Sequence, residues 1–126
     1  MANGVGETLH ITDPASYLAR AQGLILPMGS NGHLPPATPV ASGRLRVGVD
    51  LGTAYTVLTV LDEDGSVIAG EYAFAQVVRD GLVVDYIGAV DLLREMRGHI
   101  EGRIGRSLTH AASGFPPGVP GAEVRA

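Results

Sequence analysis

An apolar run, a single acidic residue and an immediate glycine turn stand together at residues 47–56. Residues 45–49 and 56–61 are apolar and rich in β-branched side chains, which favours two strands. Asp50 ends the first strand, and Gly52 permits a tight turn because it has no Cβ. A carboxylate at the end of an apolar strand is costly unless something there uses it. The pattern therefore predicts a β-hairpin that presents one acid beside its turn.

The backbone that follows Gly52 offers a place for an anion. In a tight turn, the N–H groups of Thr53, Ala54 and Tyr55 can converge and donate hydrogen bonds to phosphate oxygens. Phosphate would repel the Asp50 carboxylate, which instead suits the water shell of a Mg²⁺ ion bound near the phosphates. An ordinary hairpin, with Asp50 as a turn residue and Gly52 as its positive-φ position, remains open from these residues alone.

Residues 44–118 have the pattern of one α/β domain in the order β-β-β-α-β. After the hairpin, a turn that ends at Gly65 leads to a third strand over residues 66–75. The apolar spacing then changes to three and four residues, which predicts a helix after an Asp85 N-cap. A strand of small, buried residues over 108–114 completes the domain. The apolar stripe predicted for the helix consists of Ile87, Val90, Leu93, Met96 and Ile100.

The first 43 residues are predicted to form an irregular leader with one short helix. Asp13 is the expected N-cap of this helix, Pro14 its first residue and Gly23 its stop. Residues 24–43 are rich in Pro and Gly, which disfavours ladders, so they are expected to lack regular structure. The tail over 119–126 carries no pattern and is expected to be irregular as well.

Composition excludes several kinds of chemistry. The chain has no Cys, which excludes disulfides and thiolate sites, and its formal net charge of −4 does not favour nucleic acid as a partner. Its four histidines lack the spacing of metal ligands. No basic leader or run of about 20 apolar residues indicates secretion or a membrane span. A cytoplasmic protein is therefore expected.

Three motifs, taken in order, resemble a known family. Asp50-Leu51-Gly52-Thr53-Ala54-Tyr55-Thr56 looks like the first phosphate motif of Hsp70, actin-like and sugar-kinase proteins. The segments 77–90 and 110–118 are more specific. They resemble the EutJ family, the Hsp70/actin-like, chaperone-type proteins of ethanolamine utilisation. Because the resemblance covers about residues 45–119, the chain is interpreted as an amino-terminal fragment of such a protein.

The resemblance implies an incomplete ribonuclease-H-like lobe of the actin/Hsp70 ATPase type. Carried over by position, Asp50 is the catalytic acid that holds Mg²⁺ through water, and Pro116 couples the nucleotide state to a second lobe. The loop implied to bind the phosphates of ATP consists of Gly52, Thr53, Ala54 and Tyr55.

The function that the resemblance implies is that of an ATP-binding, chaperone-like protein associated with a bacterial microcompartment. Its implied client is ethanolamine ammonia-lyase or the shell proteins, which it would help to assemble or reactivate. ATPase activity is expected only with a second lobe, because the second phosphate motif and the adenosine motif would lie beyond Ala126. The sequence also departs from Hsp70 proteins, which place a lysine beside the γ-phosphate, since it contains no Lys.

Two other interpretations remain. The chain could be a non-catalytic interaction fragment that cannot bind nucleotide alone and associates, with itself or a partner, through an open sheet edge. It could also be an actin-like cytoskeletal or pilus-assembly homologue. The motif at 77–90 favours the EutJ-type reading over the cytoskeletal one, and measured ATP binding separates the first interpretation from the interaction fragment.

Overall fold

The computed structural model of the protein describes residues 13–30 and 42–114. A five-stranded sheet in the order β1-β4-β3-β2-β7 carries helix α2 on one face, and β5 and β6 form a separate two-stranded hairpin. The elements are α1 (Pro14–Leu24), β1 (Ile25–Pro27), β2 (Arg46–Leu51), β3 (Tyr55–Leu61), β4 (Val67–Phe74), β5 (Val78–Arg79), β6 (Leu82–Val83), α2 (Tyr86–Ile104) and β7 (Ala112–Ser113).

The centre of the sheet is an antiparallel meander. β2 pairs with β3 along its whole length, with Leu51 opposite Thr56, and β3 pairs with β4. β7 lies parallel to β2, with Gly48 opposite Ala112. A parallel neighbour requires a crossover connection, which α2 supplies. The predicted β-β-β-α-β order is therefore confirmed for β2, β3, β4, α2 and β7.

Strand β1 contradicts the prediction that residues 24–43 lack regular structure. Ile25–Pro27 pairs in parallel with β4, and the Met28 N–H donates to the Tyr72 carbonyl at 2.8 Å. Pro27 is tolerated because β1 is an edge strand whose last residue need not donate to a ladder. Gly70 lies opposite Ile25, where a Cβ would stand only 2.7 Å from Ile25 Cγ1. Residues 31–41 and the predicted tail lie outside the described residues.

Helix α1 begins where the sequence predicts. The Asp13 carboxylate accepts hydrogen bonds from the Ser16 hydroxyl at 2.5 Å and the Ser16 N–H at 3.4 Å. These bonds favour the ionised form, so they lower the pKa of Asp13, with the hydroxyl making the largest contribution. The helix continues through Gly23 to Leu24, one residue past the predicted stop. The Tyr17 hydroxyl donates to the Gly65 carbonyl at 3.0 Å and ties α1 to the end of the β3–β4 turn.

Helix α2 also begins at its predicted cap. The Asp85 carboxylate accepts the Gly88 N–H at 2.9 Å, and Gly105 ends the helix with a left-handed φ of 70°. The predicted stripe is wrong at Ile87, whose side chain is 74% exposed. Nine residues at about 100° each separate Ile87 from buried Met96, which places the two on opposite sides of the helix.

The core lies between α2 and one face of the sheet. Val60, Met96 and Ile100 are fully buried there, and Leu108 closes the core after the helix. Ala112 of β7 is exposed, which contradicts the expectation of a buried strand over 108–114. The reason is that β7 pairs with only two residues of β2 and forms the sheet edge.

Arg103 joins the leader to the domain. Its Nη1 donates to the Gly70 carbonyl at 2.9 Å and its Nη2 donates to the Leu24 carbonyl at 3.1 Å. The second bond satisfies a carbonyl in the last turn of α1, which has no partner within its own helix. Burial lowers the pKa of Arg103, and nearby Glu71 opposes this effect by stabilising the charged form. One side chain of α2 therefore holds α1 and β4 together.

Candidate functional site

The β2–β3 hairpin forms the candidate site that the sequence predicts. β2 ends at Leu51 and β3 begins at Tyr55, so the loop between them consists of only three residues. The Gly52 N–H donates to the Tyr55 carbonyl at 2.9 Å and closes the loop. The two strands on either side of this short turn are paired along the whole length of β2, and this pairing fixes the register of the hairpin.

The loop geometry requires glycine at position 52. A Cβ placed on Gly52 would lie 2.6 Å from the carbonyl oxygen of Tyr55, which is closer than such atoms approach each other. The contact is with backbone, so a side-chain rotation cannot relieve it. Gly52 is therefore needed for close approach across the hairpin, as the sequence pattern suggests.

Two N–H groups of the loop are available to a ligand. Among the described residues, no hydrogen bond is donated by the N–H of Thr53 or Ala54. The Ala54 carbonyl accepts the Ala75 N–H at 2.9 Å, which fixes the loop against the end of β4. Thr53 is exposed at the tip. A fixed turn with unused donors is the arrangement that binds an anion such as phosphate.

Asp50 stands one strand residue before the loop. Val47 and Val49 pack against the core beneath α2, so the alternation of β2 places Asp50 on the opposite face of the sheet. There the side chain is exposed, and within the described part of the chain it forms no hydrogen bond or ion pair. Asp50 also lines a shallow, open cavity of about 270 Å³ together with Thr59 and Ala112.

These residues fit the group that the resemblance implies. Unused N–H donors can hold phosphate oxygens, and an exposed, unpaired carboxylate near them can hold the water shell of Mg²⁺. No group of three or more acidic or histidine side chains among the described residues could bind a metal directly. Any metal at this hairpin would therefore depend on the ligand and on water for most of its contacts.

Tyr55 contributes to the site through its backbone. Its ring is 52% exposed and packs edge-on against two neighbours on β4, with ring centroids 6.2 Å from Tyr72 and 5.7 Å from Phe74. This aromatic group lies on the same face of the sheet as Asp50, since alternate residues of paired strands share a face. The sheet face that carries Asp50 therefore has an aromatic, apolar area formed by Tyr55, Tyr72 and Phe74.

Two polar features were missed by sequence reasoning. The hydroxyl of Thr56, the second residue of β3, is fully buried and has no hydrogen-bond partner among the described residues. The buried Glu71 carboxylate lies 2.9 Å from Nδ1 of His99, across the contact between β4 and α2. No local signal could reveal that pair, because its members are far apart in sequence.

The structure places five of the six predicted site residues in one hairpin. Asp50, Gly52, Thr53, Ala54 and Tyr55 lie at the end of β2, in its loop and at the start of β3. Pro116 lies outside the described residues. None of the described helices is long and apolar enough to cross a membrane.

The chain is similar to EutJ proteins from several bacteria. No protein-family model matches it. It is 46% identical over 82 residues to the ethanolamine utilization protein EutJ of Escherichia coli, a match that covers 64% of this chain and 30% of that protein. The EutJ protein of Salmonella typhimurium is 46% identical over 82 residues, which is 29% of its length.

A solved structure supports the same similarity. The crystal structure of EutJ from Carboxydothermus hydrogenoformans matches with a TM-score of 0.63 and 45% sequence identity, over 72% of this chain and 32% of that one. The chain therefore spans about 30% of the length of the curated relative from Escherichia coli. The resemblance to EutJ is confirmed, and the fold is that of an incomplete lobe of the actin/Hsp70 type.

Proposed function

On the premise that the chain is a partial EutJ-like protein, we propose that it supplies the first phosphate-binding hairpin of an ATP site. The site would belong to a chaperone-like protein of ethanolamine utilisation. The observation that carries this proposal is the closed three-residue loop, in which Gly52 permits close backbone approach. Within the described part of the chain, the N–H groups of Thr53 and Ala54 donate no hydrogen bond. Asp50, near the end of β2, adds an exposed carboxylate to the same hairpin.

Each residue has a distinct part in this proposal. The Thr53 and Ala54 N–H groups, with that of Tyr55, bind and orient the phosphates, and Gly52 keeps the approach free of side-chain atoms. Asp50 holds ordered water on the metal side of the ligand. Mg²⁺, when bound with ATP, supplies the charge that neutralises the phosphate oxygens. Any hydrolysis requires the remaining part of an EutJ-like protein, because one hairpin cannot enclose the nucleotide.

The names of the relatives assign them to ethanolamine utilization, which supports the proposal that this chain acts in the same process. The proposed location is the cytoplasm. The proposed client is ethanolamine ammonia-lyase or the shell of a microcompartment, whose assembly or reactivation would use the nucleotide cycle. A pull-down of these two candidates in the presence and absence of Mg-ATP tests this part of the proposal.

The hairpin assignment is tested by Asp50→Ala in a chain of full length. We expect a fusion of this chain to the remaining part of Carboxydothermus EutJ to show Mg²⁺-dependent ATP hydrolysis. Asp50→Ala should reduce it by about 10- to 100-fold, because groups that orient a metal's ligands have effects of that size. The measurement is phosphate release as a function of Mg²⁺ concentration.

Asp64→Ala is the matched control. Asp64 is also an exposed acid at a hairpin turn, and the substitution removes the same charge at the β3–β4 turn. Its hydrolysis rate should match that of the parent chain. Equal rates for Asp50→Ala and the parent would show that Asp50 does not hold the metal's water shell.

A second candidate function is interaction through the sheet edge. β7 consists of two exposed residues and covers only part of β2, and among the described residues no further strand lies beyond it. An open edge is a template for pairing with a second chain. This candidate predicts association that depends on protein concentration and is indifferent to nucleotide, which sedimentation with and without Mg-ATP distinguishes from the first.

A further inference from the structure

A second cleft lies at the end of the sheet opposite the β2–β3 hairpin. It occupies about 220 Å³ between the start of β2 and the segment that follows α2. Leu45 and Val47 contribute apolar surface, and Leu108, which is buried, forms part of the wall. The polar residues that line it are Arg44, Arg106, Ser107, Thr109 and His110.

The charge of this cleft differs from that of the chain. Two arginines, Arg44 and Arg106, are among its lining residues, and no acidic residue is among those that are described. The whole chain, by contrast, has a formal net charge of −4. Beside the lining, the carboxyl end of α2 adds about half a negative charge, and the Glu63 carboxylate next to Gly43 adds one more. The two full positive charges still exceed this sum. The cleft is therefore a local site of positive potential on an acidic protein.

Arg106 is held in place without using up its donors. Its Nη1 donates to the Gly43 carbonyl at 2.8 Å, which links the segment after α2 to the chain before β2. A guanidinium has five N–H donors, so four remain for another acceptor. Thr109 and His110 already contact each other, with Oγ1 and Nδ1 2.7 Å apart. Ser107 and Thr109 also line the cleft, and their hydroxyl groups are uncharged donors.

We propose that this cleft binds a small oxyanion of the phosphate class. Guanidinium groups match phosphate oxygens with paired hydrogen bonds, and hydroxyl groups can complete the shell. The volume of the cleft, about 220 Å³, suits a small anion. The ligand is free phosphate or the phosphate group of a small monoester. This site is separate from the ATP hairpin and does not depend on that proposal.

The test is a titration of the 126-residue chain with inorganic phosphate and, separately, glycerol 3-phosphate at constant ionic strength. We expect saturable shifts of the backbone amide signals of residues 106–110 in two-dimensional NMR spectra. Tighter binding of glycerol 3-phosphate assigns the site to monoesters, whereas tighter binding of inorganic phosphate assigns it to the free anion. Absence of saturable shifts with both ligands would overturn the proposal.

Two variants and two controls locate the binding. Arg106→Gln and Arg44→Gln should each weaken phosphate binding about tenfold or more, because each removes a charged donor. Arg44→Gln keeps the test valid if loss of the Gly43 contact unfolds the first variant. Arg94→Gln and Arg97→Gln each remove the same charge from an exposed arginine of α2, and neither residue lines the cleft. Both controls should bind phosphate as the parent does. If Arg94→Gln weakened phosphate binding as much as Arg106→Gln does, the effect would come from the net charge of the chain, and this would overturn the proposed site.

Discussion

Gly52 and Asp50 show how single residues carry the candidate nucleotide site. Both follow from local sequence, because the acid, the glycine and the two flanking strands lie within the 16 residues from Arg46 to Leu61. The caps at Asp13 and Asp85 were predictable for the same reason, since a helix cap acts over three residues. The contact of Glu71 with His99 was not predictable, because only the packing of α2 on β4 brings the two side chains together.

At the residue scale, we predict that Gly52→Ala destabilises the chain by about 1–3 kcal/mol, in the range of substitutions that force a backbone clash. The added Cβ would lie 2.6 Å from the Tyr55 carbonyl oxygen, so the loop must open. Urea unfolding followed by circular dichroism measures the change in the free energy of unfolding.

Gly98→Ala is the control for this substitution. Nothing lies within 4 Å of a Cβ at Gly98 on α2, so alanine should stabilise the helix by about 0.5–1 kcal/mol. Equal stability of Gly52→Ala and the parent chain would mean that the hairpin adjusts without strain.

The elements differ in how clearly the sequence shows them. β2, β3, β4 and α2 have long apolar patterns of period two or 3.6, and each was predicted near its observed position. β1 was missed because it has three residues, one of them proline, and owes its form to the free edge of β4. The buried stripe of α2 was predicted too broadly, because Ile87 lies on the side of the helix opposite the buried Met96.

At the scale of elements, Arg103→Met should loosen α1 and β1 while the rest of the sheet remains. The change removes hydrogen bonds to the Gly70 and Leu24 carbonyls, and bonds to a charged donor contribute about 1.5–3 kcal/mol each. Amide hydrogen exchange of residues 25–28 should accelerate more than that of β3.

Arg97→Met serves as its control on the same helix. Arg97 pairs with Glu101 at 2.9 Å on a largely exposed surface, where such pairs contribute about 0.3–0.5 kcal/mol. Exchange in β1 should then be unchanged. If Arg103→Met gives the same exchange as Arg97→Met, the leader is held by its apolar contacts alone.

As a whole molecule, the chain is an incomplete lobe whose fold could be predicted further than its function. The element order followed from the order of the sequence patterns, and the helix in that order supplies the crossover to β7. The positive cleft at Arg44 and Arg106 could not be predicted, because its two sides are distant in sequence and meet only in the folded chain.

At this scale, we predict that the 126-residue chain binds Mg-ATP more weakly than the low-micromolar range. A micromolar complex needs about 8 kcal/mol, whereas a few partly exposed backbone hydrogen bonds contribute about 1 kcal/mol each. The hairpin supplies only such bonds, and the chain spans 30% of the Escherichia coli relative. Isothermal titration calorimetry measures the affinity, and low-micromolar binding by a monomer would show that the hairpin alone suffices.

The parallel pairing of β1 with β4 sets an order on how the chain is made and folded. Ile25 leaves the ribosome well before its partner Gly70, so β1 must wait until the meander has been synthesised. The strands of the meander, joined by short turns, can pair at once, whereas closing the long loop between β1 and β4 is slower. Among the described strands β1 to β4, β1 is therefore synthesised first and enters the sheet last.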